Sequence, residues 1–269
     1  MTNLYLANII LYAITHPKAG KHLIKAKYHS WQDSKKSNSL FDYGKNKSEI
    51  EKILQSIFLT KSYSIEDLRK DTKHLQNHIF DFLAKINTEN YPSKKKPYPI
   101  DYNLDNQSGM FLYALCKIIQ PEIIVETGVA YGLSSLYILQ ALHENNKGVL
   151  YSIDYLFTPW QTKEMIGSAI PRNLRDKWRF IYGPSSEMLP KVLSSVNKVD
   201  VFFHDSLHTY KNMKYEFETA WPYIKNNGLL VSDDIVYNNA FYDFCSSRKL
   251  ESFILQQNSK SFLGIIKKP

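Results

Sequence analysis

The chain has 269 residues, room for one or two domains, and its 43% hydrophobic and 22% charged content is that of a soluble globular protein. Aromatic residues make up 14%, which argues for a well-filled core and against disorder, and two cysteines, Cys116 and Cys245, exclude a disulfide framework and a cysteine-held metal. The net charge of +8 sits mostly in residues 1–110, where 17 Lys and Arg face 11 Asp and Glu, yet the lysines are scattered apart from Lys94-Lys95-Lys96.

Residues 1–30 read as one helix broken near Pro17, and the apolar run Leu4 to Ile14 is too short to span a bilayer. It has no preceding basic residue or small-residue cleavage site, so a helix packed on the core is the expectation, with an interfacial helix as the alternative. Residues 31–47 are polar and loop-like. Helical spacing returns from Ser48 to Phe58 and from Ser64 to Ile86, the latter capped by Ser64. Pro92, Pro97 and Pro99 mark a linker from Tyr91 to Asn106, with the lysine triplet expected on its solvated surface.

Beyond the linker, short apolar strands alternate with helices. Strands are expected at 123–126, 149–154, 178–181, 200–203 and 229–232, with helices at 109–119, 133–143, around 162–168, 185–195, 211–224 and 239–249. Segments 252–257 and 262–267 read as a closing antiparallel hairpin. The expected architecture is α/β: a doubly wound, mostly parallel sheet of seven strands over residues 106–269, preceded by a helical region over residues 1–105.

Chemistry concentrates at the strand tips, where open α/β sheets bind ligands. The first strand enters Glu126-Thr127-Gly128-Val129-Ala130-Tyr131-Gly132-Leu133-Ser134-Ser135. Its glycines permit a tight turn and close ligand approach, but the spacing is G-x-x-x-G, and Glu126 would repel a pyrophosphate. That favours a nucleoside without phosphates over a dinucleotide. Asp154 ends the second strand, 26 residues after Gly128, placed for ribose hydroxyls. The turn Gly183-Pro184-Ser185 after the third strand would border an adenine ring.

Two later strands end in Phe203-His204-Asp205-Ser206-Leu207-His208 and Val231-Ser232-Asp233-Asp234. Asp205, Asp233 and Asp234 should repel each other at one rim unless a cation or shared proton intervenes. Carboxylate oxygens suit Mg²⁺ or Ca²⁺, and His208 is close enough to act as a base. Asp205 as a cap for the helix near Thr209, and His208 as an ordinary loop residue, are the plainer alternatives. Tyr131, Tyr155, Trp160 and Tyr210 are candidates to line a sulfonium or an acceptor ring, and 158–161 a loop over the cofactor.

With its E-T-G-V-A-Y-G-L-S-S loop, S-I-D strand end, F-F-H-D-S-L-H and G-L-L-V-S-D-D-I, the chain resembles the class I S-adenosylmethionine (SAM)-dependent methyltransferases over residues 107–269. The likeness is to the catechol O-methyltransferase-like branch and its metal-dependent relatives acting on macrolide sugars. The resemblance implies a Rossmann-like fold and SAM as cofactor. It implies Glu126 and Gly128 at the methionine end and Asp154 at the ribose, with Tyr131, Ser134, Ser185 and Asp205 as further cofactor-binding residues. The D-x-x-H plus D-D pattern implies Asp205, Asp233 and Asp234 as ligands of Mg²⁺ or Ca²⁺, with Asp205 and His208 catalytic. The expected reaction is O-methylation of a small hydroxylated acceptor such as a sugar, by a cytoplasmic enzyme that contacts no nucleic acid. A nucleic-acid methyltransferase lacks the N-P-P-Y type motif here. A non-catalytic SAM-binding protein would have no need of the acids and His208. Residues 1–105 resemble nothing comparable and are expected to shape the acceptor side. The oligomeric state stays open.

Overall fold

The computed structural model describes residues 3–36, 40–45, 47–58, 64–100, 104–257 and 261–269. Parts of the expected 31–47 loop (37–39 and 46) and of the linker (101–103) lie outside them. Two helices, α1 (Asn3–Thr15) and α2 (Pro17–Ser34), form the first hairpin. Pro17 starts α2, where its missing N–H costs nothing. The helices cross closely at Gly20, where a Cβ would lie 2.5 Å from the Ala13 carbonyl oxygen. After the two-residue strand β1 (Lys47–Ser48) come α3 (Ile50–Phe58) and α4 (Ile65–Asn87). Helix α3 buries Ile50, Ile53, Leu54 and Ile57, one face at helical spacing. The cap on α4 is as expected: Ser64 accepts from the Asp67 N–H.

The α/β unit runs α5 (Asn106–Ile119), β2 (Ile123–Thr127), α6 (Leu133–Glu144), β3 (Val149–Asp154), β4 (Trp178–Tyr182), α7 (Ser185–Val196), β5 (Val199–His204), α8 (Tyr210–Ala220), β6 (Ile224–Ser232), α9 (Ala240–Arg248), β7 (Phe253–Gln256) and β8 (Phe262–Lys267). The sheet order is β1-β7-β8-β6-β5-β2-β3-β4. Strands β4, β3, β2, β5 and β6 are parallel, and β8 is antiparallel to both β6 and β7. All seven expected strands are present. The eighth, β1, adds Lys47 and Ser48 in parallel to Ile254 and Leu255 at one edge, where Lys47 ends a stretch read as loop and Ser48 begins one read as helix. The helix expected around 162–168 is a single 3₁₀ turn, Lys163–Met165, closed by Gly167 at φ +66°.

Central strands with apolar side chains on both faces need cover on both. One core joins Ile124, Val201 and Val231 to α5 and α6, and continues without a break into Ile53, Leu54, Leu68 and Leu75 of α3 and α4. The other packs Val125, Phe202 and Leu230 against α7, α8 and α9. The lysine triplet departs from expectation: Lys96 is buried and donates to Asn87, while Lys95 stays exposed beside Glu89. No helix among the described residues is long and apolar enough to cross a membrane.

Candidate active site

The order β4-β3-β2-β5-β6 reverses its winding between β2 and β5, so a crevice opens beyond their carboxyl ends. The glycine loop between β2 and α6 lines it. Gly128 and Gly132 have φ of +84° and +87°, the left-handed region that favours glycine. A Cβ on Gly128 would stand 1.9 Å from the Asp205 carbonyl oxygen, so only glycine lets the loop pass beneath the β5 tip.

Asp154 braces this loop. Its Oδ2 accepts from the N–H groups of Val129 and Ala130 at 3.0 and 2.9 Å, and Oδ1 accepts from Tyr155 N–H. Oδ1 keeps a lone pair for a further donor such as a ribose hydroxyl. Burial pushes this carboxyl's pKa up, against the three N–H bonds that hold it down. Tyr98, from the linker, has a buried hydroxyl without a partner among the described residues, and burial and the Asp154 carboxylate both push its pKa up. Sequence patterns gave no signal for Tyr98, because the linker's path over the β2 and β3 tips exists only in the fold.

Four residues expected at the cofactor, Glu126, Ser134, Tyr131 and Ser185, have protein partners for their polar atoms. Glu126 is fully buried and accepts from the hydroxyls of Ser134, Ser135 and Ser152 at 2.7, 2.6 and 2.7 Å, tying β2 to α6 and β3 rather than facing a ligand. Ser134 is therefore committed to Glu126. Tyr131 is buried and donates to the Tyr98 carbonyl at 3.0 Å, with Tyr98 and Phe82 packed edge-on against its ring. The sequence placed these side chains by the loop they flank, but each turns into the protein, where an unpaired polar atom would be costly. Ser185, at the first turn of α7, hydrogen-bonds Glu216. Tyr155 does lie beside Tyr182, at 5.4 Å between ring centroids, with His22 of α2 at its edge. Tyr210 is committed to Asp243. The 158–161 turn is closed by Gln161, which accepts from the N–H groups of Phe157 and Thr158. Trp160 and Tyr12 border an open groove of about 490 Å³.

The acidic rim assembles at the tips of the adjacent strands β5 and β6. Asp205 N–H bonds the Thr127 carbonyl and Asp233 N–H the His204 carbonyl, so the sheet's own ladder sets both backbones. Ligand atoms of Asp205, His208 and Asp233 all lie within 4.8 Å of one another. Asp234 is outside this set: in the left-handed conformation, it accepts from Ser261 and lies 3.8 Å from His208 Nδ1. Gln257 donates to Asp233. Asp205, His208 and Asp234 keep 26%, 21% and 23% of their side chains exposed, so the cluster remains reachable.

Burial and the neighbouring carboxylates push Asp205 well above the usual carboxylate range and Asp233 up to about 7. Burial also raises Asp234. Burial, then the nearby His204, lowers His208 to about 3, so its imidazole is neutral at neutral pH. Its Nε2 is buried, 3.7 Å from Asp205 Oδ1, and has no hydrogen-bond partner among the described residues. The crowded carboxylate pair suits an oxygen-ligated divalent cation, with the His208 imidazole nitrogen beside it.

Beneath the rim lies a buried pair, His204 and Glu216. His204 Nδ1 donates to Glu216 Oε2 at 2.7 Å, both residues fully buried. Glu216 also accepts from Thr127, Ser206 and Asn212. Burial would raise its pKa, but His204, Ser185 and Thr127 outweigh that and hold it at about 2. The His204 ring meets His208 edge-on at 5.5 Å. Asp205 does not cap α8; the first N–H of that helix is taken by Asp33 of α2, at 2.8 Å.

Residues 125–235 match a family model described as a methyltransferase domain. No curated protein matches the chain by sequence. Among solved structures with a similar fold is the SAH-bound methyltransferase PaMTH1 of Podospora anserina, 12% identical, TM-score 0.53, with 78% of this chain and 98% of that chain covered. The O-methyltransferase of Bacillus cereus in complex with SAH is 16% identical, TM-score 0.52, with 81% and 97% covered. The O-methyltransferase TomG of Streptomyces achromogenes, involved in tomaymycin synthesis and solved with SAM, is 14% identical, TM-score 0.50, with 86% and 100% covered.

Proposed function

From a chain with a class I SAM-dependent methyltransferase fold and a matched methyltransferase domain, we propose metal-assisted O-methylation of a small hydroxylated acceptor, such as a sugar or a glycosylated metabolite. The observation that carries the reading is the meeting of Asp205, His208 and Asp233 at the β5 and β6 tips, beside the glycine loop. Asp154 Oδ1 and the Tyr98 hydroxyl hold the ribose, and the backbone of residues 128–132 approaches the nucleoside. Tyr155 and Tyr182 flank the adenine.

The acceptor oxygen forms a bond to the methyl carbon as the carbon–sulfur bond breaks, and that electron pair stays on sulfur in S-adenosylhomocysteine (SAH). The hydroxyl proton passes to a lone pair of the neutral His208 imidazole. Asp205 and Asp233, with Asp234 beside them, would hold Mg²⁺ or Ca²⁺, which prefer oxygen to imidazole nitrogen and so leave His208 for the proton. Such a cation would neutralise the carboxylates and supply the acidity that an acceptor hydroxyl needs before a base as weak as His208 can take its proton. Fixed orientation of the two bound reactants contributes on the order of 7–11 kcal/mol to lowering the barrier.

The test uses SAM with a deuterated methyl group and a panel of catechols, hexoses and glycosides, read by mass spectrometry. Label should reach an acceptor oxygen with Mg²⁺ present and fall away with a chelator. His208→Ala should slow the single-turnover rate about 10²–10⁴-fold at neutral pH. Transfer unaffected by chelator would remove the metal from the mechanism. Transfer to nucleic-acid bases instead would overturn the acceptor class.

A further inference from the structure

Helix α2 buries Ala19, Gly20, Leu23 and His29 and leaves Ile24, Tyr28 and Trp31 outward. These three fall at i, i+4 and i+7, a single stripe along the helix. Helix α1 adds Ile10, Leu11 and Ile14. All six side chains are more than half exposed, from 51% at Ile10 to 71% at Ile14. Large apolar side chains gathered on two adjoining helices are unlike the scattered apolar residues of an ordinary surface.

Charge borders the same stripe. Lys21, Lys25 and Lys27 are exposed on its two sides, and Lys35 Nζ sits 3.6 Å above the Trp31 ring. Residues 1–36 contain six lysines and one acid, Asp33, a net +5. That single carboxylate is turned inward onto the Tyr210 N–H. The outward face is therefore apolar and cationic together.

We propose that the α1–α2 hairpin docks the protein on an anionic lipid bilayer, lying in the headgroup layer. The aliphatic side chains enter the acyl boundary, while Tyr28 and Trp31 sit at the interface that amphipathic rings favour. The lysine stems lie along the apolar surface and carry their ammonium groups to lipid phosphates. Charge selects this occupant. A second copy would set +5 against +5, and a nucleic acid would answer the lysines but leave the aliphatic side chains in water. The hairpin lies on the bilayer and does not cross it, since neither helix is long and apolar enough.

The test is flotation of the full chain with vesicles of phosphatidylcholine alone and of phosphatidylcholine mixed with phosphatidylglycerol. The protein should float with the mixed vesicles, stay behind with the neutral ones, and detach as salt rises. Ile24→Glu with Trp31→Glu should weaken binding at least about tenfold, and so should Lys21, Lys25 and Lys27→Glu together. Unchanged thermal melts would show that both variants are folded. No binding to anionic vesicles, equal binding to neutral ones, or variants that bind as tightly as the parent would each overturn the proposal. So would a concentration-dependent dimer in sedimentation velocity that the same variants abolish.

Discussion

A carboxylate removed from water must be answered by groups inside the protein, and Glu216 is answered by five: His204, Thr127, Ser185, Ser206 and Asn212. Removing it leaves the His204 imidazole and four donors without their acceptor directly beneath Asp205 and His208. Glu216→Ala should therefore destabilise the fold by about 3–5 kcal/mol in urea unfolding, the range for breaking a buried pair. A loss below about 1 kcal/mol would mean that the network contributes little. Nothing in the sequence around Lys214-Tyr215-Glu216 marks this residue, because its partner Thr127 lies 89 positions away and meets it only once β2 and α8 are packed. Asp205, Asp233 and Asp154 were legible because each ends an apolar run, and a strand tip is a definite place. Glu126 and Tyr131 flank the same loop, but rotation about one side chain decides whether such a residue faces ligand or core, and hydropathy does not record it.

At the scale of elements, the glycine loop is the most constrained connection. Gly128→Ala would combine a left-handed φ with a contact no Cβ makes. It should lower the melting temperature, with strain alone costing about 1–3 kcal/mol, and abolish SAH binding. Unchanged melting would contradict the packing of this loop against the β5 tip. Helices α5 and α6 are tied by Glu144, which accepts from Tyr113, Gln140 and Lys117. Burial raises the Glu144 pKa, but these donors outweigh it, and the folded value lies below the ordinary 4.5. Its support is thus present above pH 4.5 and fades as pH falls through the folded value. The stability gap between the parent and Glu144→Gln should be widest at neutral pH and close in acid; a constant gap would contradict the ionised role. Most strands and helices of six residues or more were readable from periodicity, but β6 begins at Ile224, five residues before the expected start and inside the stretch read as helix. Strand β1 was not readable, since two residues carry no period and only an exposed β7 edge makes Lys47 and Ser48 a strand. Asp33 capping α8 was equally invisible, being a contact between segments 177 positions apart.

At the scale of the whole molecule, the helical region over residues 1–105 and the α/β unit that follows pack against each other across the linker. Ile53, Leu54, Leu68 and Leu75 share one continuous core with α5, α6 and the sheet, and Tyr131 locks the linker through Tyr98. Each such aliphatic side chain contributes about 1.5–3 kcal/mol when buried, so a chain beginning at Asp105 should be insoluble or unfolded, with no cooperative melt. A soluble, cooperatively folding product would show the first hundred residues to be dispensable for stability. That dependence also explains why the N-terminal region was opaque: its helices have readable amphipathic faces, but their partners are elsewhere in the chain.

The central claim is a nucleoside site at the β2 and β3 tips. Calorimetric titration with SAH, on the intact chain and on Asp154→Asn, tests it most directly. The account predicts one SAH per chain, affinity at least about tenfold weaker in the variant as a charged acceptor is lost, and no heat with NAD. Binding of NAD without SAH, or SAH binding indifferent to Asp154, would contradict it.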